Sequence, residues 1–195
     1  MALIKAMGEE LRLTSGLKGL DPQFHRRLLV RVLFSTFEAF AFHLKQRTLE
    51  AGNAGGIQFS QTEQRKLTET KIVERPDGST EERSFFLKSQ DNLAFAVAIY
   101  SRVMGVEPPP AFPAEAMSTG IAVRHRLTHP KSAAAFMIQD SEAQAIVRLA
   151  EWFKVAYQWS SSAELASIER IRKEMSTSIQ NQIATIRAAQ DDHKA

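Results

Sequence analysis

The sequence predicts an all-α fold: an antiparallel helical bundle that has room for a short β-hairpin insertion and ends in a long C-terminal helix. Apolar residues recur at intervals of three and four along most of the chain, which is the period of a helix. Helix start and stop signals, such as Asp21-Pro22 and Gly105, stand at the ends of these segments. A proline-rich connector at residues 108–113 separates two of them.

Composition and charge limit the class of protein. With 195 residues, of which 44% are hydrophobic and 24% charged, the chain has the proportions of a single globular domain, residues 1–195. A net charge of +3 permits contact with a polyanion without requiring it. The absence of cysteine excludes a disulfide scaffold and a thiolate metal site. Because the sequence has neither a signal peptide nor an apolar run of about 20 residues, we expect a cytoplasmic protein without membrane contact.

The first half of the chain contains one long helix and one short one. Asp21-Pro22 begins the long helix, which should end near Gly52, and its apolar residues cover more than one face, so we expect other helices around it. A capping box at residues 60–63 begins a short polar helix that reaches about Thr70. A turn signal, Pro76-Asp77-Gly78, follows between apolar pairs, and both a small hairpin and a charged excursion fit it.

The second half of the chain should contain four helices. One runs from Ser89 to about Met104 and stops at Gly105, and the next resumes near Ala114 and ends at Pro130. A third begins at Asp140, and we expect the three serines at residues 160–162 to break it.

The final helix, over residues 160–190, carries a narrow line of apolar residues on an otherwise polar rod. Such a line packs against one neighbour, either within the chain or as a dimer or partner arm. Its members are Leu165, Ile168, Ile171, Met175, Ile179, Ile183 and Ile186.

Residues 124–129 form the segment that points to chemistry. The imidazole of His129 can exchange a proton near neutral pH, and the guanidinium of Arg124 matches phosphate oxygens. Cleavage of RNA without a metal needs both abilities. Positions five apart lie about 140° apart around a helix. Pro130, however, disfavours helical geometry at His129, so its side chain can leave the helical direction.

Residues 123–131 resemble the signature of the HEPN superfamily, in which an Arg is followed by a polar residue and then, after four to six residues in all, by a His. The order of helices is also similar over residues 21–157, the HEPN-like core, and the final helix lies outside the resemblance. The resemblance implies a helical bundle in which Arg124 and His129 are the catalytic pair and His125 assists them.

The same resemblance implies a metal-independent, cofactor-free endoribonuclease of toxin or antiphage-defence type. Two protomers of a homodimer would form one composite Arg/His site, and the product would carry a 2′,3′-cyclic phosphate. Arg126 and Lys131 would bind single-stranded RNA through its phosphates. A protein antitoxin or a nucleotidyltransferase is a further possible partner.

Other interpretations of the segment stay open. A non-catalytic module of the same fold would bind RNA, a nucleotide or a protein partner, and a purely structural helix end would need neither. His125 and His129 also have the i, i+4 spacing of a zinc pair. Arg126 stands where the zinc proteases have Glu, and no third ligand is near, so we expect no metal site.

Overall fold

A computed structural model describes the backbone of residues 2–192, and the side chains of all of these except residues 2–4, 7 and 186–192. Within this range the fold is predominantly α-helical, as predicted. The elements are α1 (Ala2–Gly16), α2 (Pro22–Ala54), α3 (Gln61–Thr68), β1 (Thr70–Glu74), β2 (Thr80–Ser84), α4 (Ser89–Met104), α5 (Ala114–Thr128), a short 3₁₀ helix (Ala133–Phe136) and α6 (Asp140–Asp192).

The chain divides into two compact units, residues 1–156 and residues 157–195. In the first unit α2 is the central element, because it packs against α1, α3, α4 and α5. Its buried residues lie on several sides of the helix, among them Leu33, Phe34, Phe40 and Leu44. Over the described residues, none of the helices combines the length and the apolar character that spanning a bilayer requires.

The start signals of α2 and α3 act as predicted. The carboxylate of Asp21 accepts the backbone N–H of Phe24 at 2.7 Å, and Pro22 occupies the first turn of α2. At α3, Ser60 accepts the backbone N–H of Glu63 at 3.2 Å, and Glu63 accepts the backbone N–H of Ser60 at 2.9 Å. This reciprocal pair is the predicted capping box.

The segment around Pro76-Asp77-Gly78 is a hairpin and not a charged excursion. Strands β1 and β2 pair antiparallel, with Thr70 opposite Ser84 and Glu74 opposite Thr80. Gly78 has a φ of 79°, which a residue with a side chain rarely adopts, and Asp77 accepts the N–H of Ser79 at 2.9 Å.

A buried charge lies beneath the start of this hairpin. The ammonium group of Lys45 is fully buried, pairs with the carboxylate of Glu69 and donates to Oδ1 of Asn92 at 2.9 Å. Glu69 ends α3 in the left-handed region, at φ 57°, and its carbonyl accepts the N–H of Phe85 at 2.7 Å. The ion pair therefore joins α2, α4 and the base of the hairpin.

Helix α1 was not predicted from the sequence. It contains Gly8 and Gly16 and lacks a clear start signal, so local preference for a helix is weak. Leu11 and Thr14 are nevertheless buried, and the Thr14 carbonyl lies 2.7 Å from Nε2 of His25 on α2. Packing on α2, and not propensity, stabilises this helix.

The predicted break at residues 160–162 was wrong, because α6 continues from Asp140 to Asp192. Serine in a helix interior costs only about 0.5 kcal/mol relative to alanine. Three serines together therefore cost less than the roughly 3 kcal/mol of a single proline, and the helix continues through them. The hydroxyl of Ser160 also donates to the Tyr157 carbonyl at 2.9 Å, so its hydrogen bond is made within the helix.

Candidate functional site

Helix α5 exposes the polar residues of the 124–129 segment because its other face, which includes Leu127, is buried. Met117, Val123 and Leu127 lie in the core, and Gly120 allows the close approach of neighbouring side chains. A Cβ atom at Gly120 would lie 2.9 Å from Leu149 and 3.0 Å from the ring of Phe34. Helix α5 is therefore held at a short distance from α2 and α6, and its orientation fixes which residues of the segment face solvent.

The end of α5 places the two imidazoles side by side. His129 caps the helix with φ −125° and ψ 64°, and its N–H donates to the His125 carbonyl at 3.0 Å. Pro130 explains the departure from helical geometry at this residue. The two rings are 5.2 Å apart between centroids and inclined at 57°, and both residues are exposed. Two groups that can exchange protons thus lie within one ligand's reach.

A pocket of about 520 Å³ opens beside the two imidazoles. Lys131 lies on its rim with an exposed side chain, and none of the described residues that line the pocket is acidic. This character favours an anionic ligand. The lining consists of His125, Arg126, His129, Lys131, Ser132, Ala134, Ala135, Met137 and Gln139.

Arg126 shapes this pocket by holding the loop that follows α5. Its guanidinium donates to both carboxylate oxygens of Glu142 at 2.8 Å and to the carbonyls of Ala135 and Met137 at 3.1 and 2.9 Å. The hydrogen bond from Arg126, together with the N–H of Gln139, holds the pKa of Glu142 below its ordinary value. Four of the five guanidinium donors are used in this way, so Arg126 fastens the loop between α5 and α6.

The N-terminal turns of α2 hold the other side of the same loop. Gln23 exchanges two hydrogen bonds with the backbone of Ile138, at 3.0 and 2.8 Å. Arg26 donates to the Ile138 carbonyl at 2.8 Å and pairs with Asp140 at 2.6 Å. Gln23 and Arg26 therefore anchor the loop between α5 and α6 to the start of α2.

Arg124 lies on a different face of α5. Its guanidinium pairs with Glu38 at 2.7 Å, reaches the hydroxyl of Ser89 at 3.5 Å and stands 5.5 Å from the centre of the Phe34 ring. Glu38 and Ser89 line a separate cleft of about 360 Å³. Within one chain, Arg124 thus belongs to the surface between α2 and α4 and does not line the pocket of the two imidazoles.

Of the five residues singled out in the sequence, the structure brings four together: His125, Arg126, His129 and Lys131 line one pocket, and Arg124 does not. Sequence reasoning missed the carboxylates that pair with the arginines. Glu38 precedes Arg124 by 86 positions, so no local pattern links them. Glu142 could have been noted as an acidic residue in the first turn of α6, although nothing local identifies Arg126 as its partner.

The two imidazoles have no further metal-ligating side chains grouped with them in the part of the chain that the structure describes. Among the described residues, no group of three or more His, Asp and Glu side chains is arranged to hold a metal ion. The two imidazoles share their pocket with the cations of Arg126 and Lys131. The chain matches no protein-family model, no curated protein and no solved structure.

Proposed function

We propose that this protein is a metal-independent endoribonuclease of the HEPN type. The observation that carries the proposal is the pair of exposed imidazoles, 5.2 Å apart between centroids, beside Lys131 in a pocket without an acidic lining residue among those described. Two imidazoles can serve as base and acid, and a cation beside them can hold the phosphate on which they act.

The chemistry uses the two imidazoles in opposite protonation states. The neutral ring of one His takes the proton of the ribose 2′-hydroxyl, whose oxygen then attacks the phosphorus atom. The protonated ring of the other His gives its proton to the leaving 5′-oxygen as the P–O5′ bond breaks. The products are a 2′,3′-cyclic phosphate and a 5′-hydroxyl, and neither step needs a metal.

The role of Arg124 makes the proposal dimeric. In the HEPN pattern Arg124 stabilises charge on the phosphoryl oxygens, but in this chain it pairs with Glu38 and lies outside the pocket. Under the proposal, a second copy supplies its Arg124 to the phosphate bound at His125 and His129. Single-stranded RNA is the substrate class, because its backbone can reach the in-line geometry that a duplex restrains.

Cleavage of labelled RNA by the purified protein tests the proposal. We expect cleavage by the wild type that EDTA does not inhibit, and a loss of at least about a hundredfold in His129→Ala and in His125→Ala, the usual scale for a lost acid or base. His25→Gln is the matched control, since that imidazole contacts the Thr14 carbonyl and lies outside the pocket.

Arg124→Ala decides whether the arginine takes part. A loss comparable to that of His129→Ala supports the composite site, and full activity limits the site to the two imidazoles. Absence of cleavage by the wild type on every RNA tried, or cleavage unchanged in both histidine variants, contradicts the nuclease.

A non-catalytic binding module is the second candidate, and the ion pair of Arg124 favours it. An arginine that is neutralised by Glu38 and stacked near Phe34 has a structural role without any ligand. This candidate predicts RNA or nucleotide binding that weakens with salt and is not followed by turnover. Complete absence of RNA binding at low salt would leave a protein partner as the ligand.

A toxin or defence role, with an antitoxin or a nucleotidyltransferase as partner, extends the nuclease proposal. It predicts that expression of the wild type slows growth and that His129→Ala relieves the effect. Equal toxicity of the two proteins would separate the growth effect from RNA cleavage.

A further inference from the structure

In the second unit, residues 157–195, the described side chains of α6 include an exposed apolar surface. Its members are exposed, from 62% for Leu165 to 44% for Ile183. At about 100° per residue, they fall within an arc of about 120° around the helix. We call this surface the apolar stripe; its described members are Leu165, Ile168, Ile171, Met175, Ile179 and Ile183, and the sequence continues it with Ile186.

The spacing of the apolar stripe is symmetric along the chain. From Ile168 to Ile186 the intervals are 3, 4, 4, 4 and 3 residues, so the pattern reads the same in both directions about Thr177. A second copy placed antiparallel across a twofold axis at Thr177 therefore brings Ile171 and the second copy's Ile183 to the same height, on opposite flanks of the interface. The same axis sets Met175 against the second copy's Ile179. A surface that matches its own reverse suits an interface between identical chains.

Charge decides the direction of the pairing. Residues 169–174 contain five charged side chains with a net charge of +1, whereas residues 175–185 contain none. Arg172 falls inside the arc of the apolar stripe. In a parallel pair Arg172 would face the same residue of the second copy, and two cations would meet in the interface. In the antiparallel pair Arg172 faces the second copy's Gln182, which can accept its hydrogen bond.

We propose that residues 165–186 pair with a second copy of this chain as an antiparallel two-helix coil. The contact extends over about 30 Å of helix, at 1.5 Å per residue. The mean apolar interval of 3.5 residues from Leu165 to Ile186 is that of a left-handed coiled coil. The proposal rests on the apolar stripe alone and is independent of the nuclease.

The mass of the full-length protein in solution, measured by light scattering at micromolar concentration, is the first test. We expect the wild type to have at least the mass of a dimer. In Ile179→Glu the mass should fall by half, because a buried charge would separate the two copies of the apolar stripe. Thr177→Glu is the matched control: it adds the same charge at the same height, about 180° away from the centre of the apolar stripe, and keeps the wild-type mass. A monomeric wild type, or an unchanged mass in Ile179→Glu, overturns the proposal.

Single cysteines test the direction, since the chain has none of its own. Ser178→Cys lies beside the axis, with its Cα atom about 8–10 Å from that of the second copy, and should be joined to it by a short bismaleimide cross-linker. Ser167→Cys lies on the same flank, but the two copies of residue 167 are about 30 Å apart in the antiparallel pair. A short bismaleimide cross-linker does not span that distance, so this variant stays unlinked. Cross-linking of both variants, or of neither, overturns the antiparallel pair.

The RNA assay keeps this proposal separate from the proposed function. Loss of assembly in Ile179→Glu supports the coil whether or not any protein cleaves RNA. A monomeric wild type that cleaves RNA would overturn the coil and leave the catalytic histidines supported.

Discussion

The two charged clusters of the first unit differ in burial and in how their hydrogen bonds are satisfied. Lys45 is fully buried and meets a carboxylate and an amide oxygen from its own chain. His125, His129 and Lys131 are exposed and face a pocket to which the described residues bring no acidic side chain. The first cluster joins elements that are distant in sequence. In the second cluster, the N–H donors of His125, His129 and Lys131 are accessible to solvent.

Under the proposed function, this difference separates the residues that stabilise the fold from those that bind RNA. A buried charge without its partner is costly, so the residues around Lys45 are constrained by folding. An exposed cation contributes little to folding, so the His125–His129 pocket can hold reactive groups at little cost to the fold. Substitutions in the first cluster should change the free energy of unfolding, and substitutions in the second should change RNA cleavage or binding.

The largest effect is expected from Glu69→Gln, which leaves the buried ammonium of Lys45 without its counter-charge. We expect a loss of about 3 kcal/mol in the free energy of unfolding, measured by urea denaturation. RNA cleavage per folded molecule should not change. Glu81→Gln, on the exposed hairpin, is the control and should cost less than about 1 kcal/mol.

The double variant Lys45→Met/Glu69→Gln sharpens this prediction, because it removes both charges of the buried pair. It should recover most of the lost stability. A double variant that is less stable than Glu69→Gln would show that packing around Lys45, and not its charge, dominates the effect.

Arg126→Ala should have an intermediate effect, and it should lower both the stability of the fold and the binding of RNA. It removes four hydrogen bonds to Glu142 and to the loop after α5, so we expect a loss of about 2 kcal/mol in unfolding free energy. RNA binding should also weaken, since the loop shapes the pocket. Arg102→Ala, which removes one exposed ion pair, is the control. Full RNA binding in Arg126→Ala would mean that the loop does not matter for the ligand.

Lys131→Ala should leave the free energy of unfolding within about 0.5 kcal/mol of wild type. RNA binding should weaken. The slope of log K for RNA binding against log salt is negative, and its magnitude should decrease by about 0.7, the value for one lost phosphate contact in a single strand. Lys154→Ala removes the same charge from an exposed site on α6 outside the pocket. Equal RNA binding by the two variants would show that the loss depends on the overall charge of the protein and not on the place of Lys131 in the pocket.

The stability of the fold in acid should depend on the carboxylate of Glu63 at the start of α3. The hydrogen bond from Arg102 and the N–H of Ser60 lower the pKa of Glu63 to about 2, from an ordinary value of 4.5. A lowered pKa contributes stability above about pH 4.5, and this contribution is lost as the pH falls towards 2.

Arg102→Ala should therefore raise the pKa of Glu63 and reduce stability at pH 6 by less than about 1 kcal/mol, with little difference from wild type near pH 2. Urea unfolding at both pH values measures this. An equal loss at the two values would show that Arg102 acts through packing instead.

Features that depend on neighbours within about four residues could be predicted from the sequence. The capping box of α3, the Pro76-Asp77-Gly78 turn and the helix stop at Gly105 each satisfy their backbone groups locally, and all three are present. The approach of His125 to His129 also follows from their i, i+4 spacing and from Pro130. Such signals operate before any tertiary contact forms.

Other features required the tertiary structure. Helix α1 depends on its packing against α2. The continuation of α6 through three serines, by contrast, follows from the rest of that helix, whose residues absorb their small cost. Arg124 has its position decided by Glu38, 86 residues away, and Arg126 by the loop and carboxylate that follow it. The sequence by itself thus determined helices α2 to α5 and the paired imidazoles. Only the tertiary structure decided which charges are neutralised, because ion pairs select partners by distance in space.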